Sequence, residues 1–285
     1  MEGEFAWSEL VINLGLANSV EDIDRNIESS LKRDYIKFAD IMESEKGAVS
    51  VVGSGPSLLK NWKKLRDSKT DIIACNASCL FLLDKGIVPK YMFCFDADPL
   101  MLEFITPHKD ITYLLASRCP PKTFDILDGC KIVLWHAQGD PNTEEILEKN
   151  NKNEAMVIGG SAAVTRCIVL ATAIGYTTIH LWGADASFDG KNTHIRKSTT
   201  DEKRVLVMLN NRVFETAPWM ASQVEDFKVL APILRDTYGV KLIVHGDGLI
   251  PHLAHAMGVR VDREMKVKHF FRETNRKARI LWSQL

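Results

Sequence analysis

From residue 48 onward the chain alternates short apolar runs with segments of helical periodicity, and this alternation constrains the fold more than any other feature. The runs cover residues 48–52, 71–75, 91–95, 111–116, 131–135, 178–182 and 241–245. Between them, segments such as 58–66, 78–85 and 162–174 are long enough to be helices. Strands that alternate with helices pair in parallel through right-handed crossovers, so the pattern predicts a doubly wound, mostly parallel α/β sheet. The stretch 204–216 departs from it: VLVMLNNRVFET reads as a hairpin turning at Asn210-Asn211, since Asn tolerates the left-handed backbone that tight hairpins need.

Flanking segments read differently. Val20, Ile23, Ile27 and Leu31 recur at helical spacing behind Ser19, a candidate N-cap. The expected division is a helical segment over 1–46, a main domain over 47–260 and a basic C-terminal helix over 261–285, where Phe270, Phe271 and Trp282 interleave with Arg and Lys. That tail reads as an amphipathic helix packing on the domain rather than as a nucleic-acid or membrane patch. With 36 Lys+Arg against 37 Asp+Glu the net charge is −1, which argues against a supercharged nucleic-acid binder. No apolar run approaches the roughly 20 residues of a membrane helix, and the start MEGEFAWSEL lacks the order of a secretory signal. The expectation is a cytoplasmic protein. Cysteines at 75, 79, 94, 119, 130 and 167 form no C-x2-C pair; they read as reduced, mostly buried thiols, with Cys75 and Cys79 spaced to share a helix face.

In open α/β sheets ligands bind beyond the carboxyl ends of strands, and four loops there carry chemistry. Gly53-Ser54-Gly55-Pro56-Ser57 leads from a strand into a helix; glycines let backbone approach a phosphate, and Ser57 is placed to cap the helix. The loop lacks the Lys of a Walker loop and the third Gly of a dinucleotide fingerprint, and a plain tight turn is the alternative. Asn76, at the next strand end, can donate and accept at once, which suits a base or ribose, or simply caps a helix. Asp96 and Asp98 can present oxygens to Mg²⁺ or Mn²⁺ bridging phosphates; alternatively Asp98 caps the following turn. Gly159-Gly160-Ser161 opens a helix, Asp185 follows the next strand as a ribose or metal ligand, and His194 lies in a polar loop able to close over the site. A loop His is a candidate general base or a solvent-exposed bystander. His252 and His255 read as ordinary helix-surface residues.

Together these residues resemble the MptE-like 6-hydroxymethylpterin diphosphokinase domain, shared with bacterial motility accessory factors and distantly similar to bacterial sialyltransferases. The matching pieces are VVGSGPSL, the N-A-S after Cys75, LLDKGIVPKYMFCFDADP, GGSAAVTRCIVLATAIGYTTIHLWGADASF and His194. The resemblance implies a Rossmann-like nucleotide-binding transferase. The first expectation is its diphosphokinase branch, where ATP and Mg²⁺ would donate a diphosphate to a small hydroxylated acceptor, with Asp96 and Asp98 as the paired acids; since the glycine loop lacks a lysine, Arg118 or Arg166 is the candidate cationic clamp, and glycosyl transfer is the alternative. On its glycosyltransferase branch, Gly53, Gly55, Ser57 and Asn76 would hold a nucleotide-sugar while His194 acts as base toward a small-molecule or glycan acceptor.

Overall fold

The computed structural model describes residues 18–195 and 203–262. In chain order the elements are α1 (Val20–Leu31), β1 (Ile36–Lys37), β2 (Ala48–Val52), α2 (Leu58–Asp67), β3 (Asp71–Cys75), α3 (Ser78–Asp84) and β4 (Tyr91–Cys94). Then follow β5 (Thr112–Ala116), α4 (Pro121–Ile126), β6 (Lys131–Ala137), α5 (Thr143–Lys149), β7 (Met156–Val157), α6 (Ala163–Ile174) and β8 (Thr178–Trp182). The chain continues through β9 (Val205–Leu209), β10 (Arg212–Thr216), α7 (Pro218–Asp236), β11 (Lys241–His245), α8 (Leu249–Ala256) and β12 (Arg260–Asp262).

The main sheet has ten strands in the order β1-β6-β5-β4-β3-β2-β8-β11-β12, with β7 beside β6. Every pairing in it is parallel. This is a Rossmann-like α/β fold. The order grows outward from β2 through β3 to β6, then α6 carries the chain back so that β8, β11 and β12 extend the other side. The reversal lies between β2 and β8. Central strands are apolar on both faces because helices cover both: Val49, Val51, Ile73, Phe93, Leu114, Val133 and Leu181 are all buried. Helix α6 packs across β2, β3 and β4 and against α7, which in turn packs on β11 and α8.

The hairpin turns as the sequence predicts: Asn210 and Asn211 both take left-handed φ, 49° and 60°, and β9 pairs antiparallel with β10. Ser19 caps α1, accepting from the Asp22 amide at 3.1 Å. Residues 18–46 of this first segment contact the main domain. Ile36 and Lys37 add a parallel edge strand to β6, and the α1 stripe Ile23–Ile27–Leu31 packs on Ala97, Ile146 and Leu147. Cys75 and Cys79 do not share a helix face, because Cys75 ends β3 and only Cys79 lies on α3. All six cysteines are free, and all but Cys130 are buried. The basic C-terminal helix expected over 261–285 lies outside the described residues, apart from the last two residues of β12. Among the described residues no helix is long and apolar enough to cross a membrane.

Candidate functional site

At the sheet reversal the loops after β2 and β8 are pressed together. The Gly53 amide donates to Trp182 O at 2.8 Å and the Gly55 amide to Gly183 O at 2.7 Å. A Cβ on Gly53 would stand 2.6 Å from Gly183 O and 2.7 Å from Val164 Cγ2. The glycines thus admit the chain's own second loop, whereas the sequence reading assigned their smallness to a ligand. The Ser57 side chain makes no capping bond. Instead Asp185 Oδ2 accepts from the Ser57 amide at 2.8 Å, placing a carboxylate on the N-terminus of α2. Burial pushes the Asp185 pKa up to about 6, partly offset by its Ser57 hydrogen bond. Its backbone oxygen accepts from the Leu249 amide at 2.8 Å, tying the start of α8 to the same point.

On the adjoining strand ends, Asn76 takes a left-handed φ of 48° and donates its amide to Phe93 O at 3.0 Å. Its Nδ2 donates to Asp96 Oδ2, and its Oδ1 is buried without a partner. Asp96 is raised above the usual carboxylate range by burial, against the Arg118 charge and the Asn76 bond. Asp98 Oδ1 accepts from the Leu100 amide at 2.9 Å, the capping role weighed for it in the sequence. Helix α1 packs on Ala97 between these acids, while Asp96 and Asp98 themselves stay partly exposed.

Beyond Asp96 lie two guanidinium groups, each 4.8 Å from the Phe95 ring centroid. Arg118 pairs with Asp140, and Arg166 donates to Val157 O at 2.7 Å and Gln138 O at 3.0 Å. Burial pulls the Arg166 pKa down to about 10. The Nε atoms of both arginines and Asp140 Oδ2 are buried without partners. Buried polar groups are normally satisfied, so these atoms, with Asn76 Oδ1, stand out: three belong to residues just past β3, β5 and β6, and the fourth to Arg166 on α6.

The third wall is the start of α6. Ser161 donates its amide and hydroxyl to Asp226 Oδ2 on α7, at 2.7 and 2.8 Å. A Cβ on Gly160 would overlap Asp226. The turn leading into α6 is thus held by a carboxylate of the chain, and Gly159–Ser161 precede the helix rather than open it, since α6 begins at Ala163. The loop carrying His194 lies on the glycine loop: the Ile195 amide donates to Ser54 O at 2.7 Å. His194 is half-buried, with its ring near-parallel to Trp219 at 5.5 Å and Nδ1 2.8 Å from Thr193 Oγ1.

The structure therefore brings Gly53, Ser54, Gly55, Pro56 and Ser57 together with Asp185 and the His194 loop, and Asn76 with Asp96. It directs Asp98 to its own turn and Ser161 to α7. Among the described residues no three His, Cys, Asp or Glu side chains converge as a metal site. Sequence reading missed Asp140 and Asp226. Asp140 follows β6, a position where strand-end chemistry is expected; Asp226 sits mid-helix, and nothing local marks it. A cavity of about 820 Å³ opens on the other side of the reversal, between Ser57, Asp185, β10 and the loop after β11.

A family profile described as 6-hydroxymethylpterin diphosphokinase MptE-like matches residues 21–191. The MAf glycosyltransferase from Magnetospirillum magneticum AMB-1 superposes with a TM-score of 0.62 at 16% identity, over 94% of this chain and 42% of that one. The chain thus spans less than half the length of that enzyme, and the likeness is one of fold. A mammalian sialyltransferase solved with Gal-beta-1-3GalNAc-ortho-nitrophenol gives a TM-score of 0.38 at 12% identity, over 79% of each chain. A comparison with curated proteins gives no match.

Proposed function

The chain belongs to the 6-hydroxymethylpterin diphosphokinase MptE-like family and is a transferase; from that premise we propose that its donor is a nucleotide derivative held at the carboxyl ends of β2 to β6. The observation that carries this reading is the set of buried, unpaired polar atoms beside the glycine loop. Asn76 Oδ1 offers an acceptor to a base or ribose, and the Arg118 and Arg166 Nε atoms offer donors to a phosphate. The backbone of Ser54 and the 189–195 loop would form the roof, excluding water above the donor.

Of the two donor chemistries, we favour glycosyl transfer from a nucleotide-sugar. Asp185 and Asp226 already take the Ser57 amide at the cap of α2 and the Ser161 amide in the turn before α6, leaving fewer backbone donors for a triphosphate. When the sugar of a nucleotide-sugar is transferred, the nucleoside mono- or diphosphate is the leaving group, and a guanidinium can neutralise its charge. The bond from the sugar carbon to the phosphate oxygen breaks, a bond to the acceptor oxygen forms, and His194 takes the acceptor proton. The second reading is diphosphoryl transfer from ATP, and the proximity of Asp96 to Arg118 favours it. Asp96 and Asp98 would then hold Mg²⁺ or Mn²⁺, exchanging the Asn76 and Leu100 bonds for the ion, which would neutralise phosphate charge. Phosphorus NMR of the protein with each donor separates the two. Release of CMP or UDP from a nucleotide-sugar supports the first reading, and release of AMP from ATP with Mg²⁺ supports the second. No turnover of either donor, with any hydroxylated acceptor tried, contradicts both.

A further inference from the structure

The cavity of about 820 Å³ excludes Asn76, Arg118 and Arg166 but adjoins the donor site, sharing Pro56 and Ser57 of the glycine loop and Asp189 and Gly190 of the roof loop, and it opens on the β8–β11 side of the reversal. Its volume falls within the range of small-molecule sites, roughly 300–1,000 Å³. One wall is apolar, formed by Phe188, Val213 and Phe214, with Val213 40% exposed toward the space. The opposite wall is acidic: Asp185, Asp189, Glu215, Asp247 and Asp262 face Lys60 and Arg212. Both of those cations are already spent, Lys60 on Asp189 at 2.6 Å and Arg212 on Asp247 at 2.8 Å. Glu215 pairs with Arg204 from outside the cavity. Asp185 sits at the floor, 4% exposed, beside Ser57 Oγ, which is buried without a hydrogen-bond partner.

Such a lining accepts hydrogen bonds from hydroxyl or ammonium groups and offers the Val213 side chain to carbon-bound hydrogens, the Phe188 and Phe214 rings being covered by Arg204 and Arg212, while its surplus of carboxylates repels anions. We propose that this cavity is an acceptor pocket and that it takes a small polyhydroxylated molecule that is uncharged or carries an amine. The word acceptor rests on the transferase reading; the class of ligand rests on the cavity alone. The β9–β10 hairpin supplies the apolar wall, so the insertion that departs from the alternating pattern has a function as the pocket's side.

Saturation-transfer NMR of the whole chain with glucosamine, glucose and glucuronate as probes tests this. Glucosamine and glucose should bind, and glucuronate should bind at least about tenfold more weakly. Val213→Trp, which fills the space from an exposed position, should abolish the glucosamine signal while nucleotide affinity stays unchanged. Should that variant fold poorly, Asp247→Lys at the rim takes its place and should weaken glucosamine more than glucose. Equal binding of glucuronate, no binding of any probe, or retention of glucosamine by Val213→Trp overturns the proposal. Probe binding with this selectivity in a chain that holds no nucleotide upholds the pocket and contradicts the donor reading instead.

Discussion

Gly55 is small because its neighbours leave no room: a Cβ there would overlap Asp185 Oδ2 and lie 2.6 Å from Gly183 O. Gly55→Ala should therefore destabilise the fold by about 1–3 kcal/mol, the usual cost of overpacking; an unchanged denaturation midpoint would show that the two loops can part freely. Asp185 titrates in a direction that can be checked. Its folded pKa of about 6 lies above the ordinary 3.8, so its contribution to stability is fully present below 3.8 and lost as pH rises through about 6. Asp185→Asn keeps an acceptor for the Ser57 amide and removes the buried charge. Denaturant titrations should find it more stable than the parent at pH 8, by up to about 3 kcal/mol, with the advantage gone at pH 4. His194 carries the sharpest chemical expectation. His194→Gln should lose roughly 10²–10⁴ in turnover with donor affinity intact, the usual worth of a general base; equal turnover would remove it from the chemistry.

Among the elements, β8, β11 and β12 are joined by a stack of side chains rather than by backbone alone. His245 lies face to face with Trp182 at 3.5 Å, 2.9 Å from His180 Nδ1 and 3.4 Å from Asp262. Burial and the His180 neighbour pull the His245 pKa from 6.5 down to about 4, with Lys64 and Arg260 adding to the fall and Asp262 opposing it. A lowered histidine contributes stability that is fully present above 6.5 and lost as pH falls through about 4. The parent should lose stability between those values, and His245→Gln should flatten that limb; parallel curves would mean that the ring is not titrating there. Strands β2, β3, β8 and β11 sit where apolar runs predict them, because burial on both faces leaves a continuous signal. The two-residue strands β1 and β7 carry too little sequence to signal themselves, and Pro232 inside α7 interrupts the pattern of a long helix.

At the scale of the whole molecule, the loops named from sequence gather at the carboxyl edge of the sheet. What stayed hidden is long-range. Asp185 reaches Ser57 across 128 positions and Asp226 reaches Ser161 across 65, so no local pattern could reveal that the two presumed anion sites are filled from within. The same holds for α1, whose docking on Ala97 between the two acids no local pattern announces. Calorimetry reads out directly whether a nucleotide derivative fills the buried, unpaired positions at Asn76, Arg118 and Arg166. The whole chain is titrated with CMP, UDP and ATP, with Mg²⁺ and with EDTA, and compared with Asn76→Gly, which keeps the left-handed backbone but removes the side chain. The account predicts binding of at least one nucleotide and a loss of about tenfold or more in the variant. Absence of binding to all three, or identical affinity in Asn76→Gly, would contradict it.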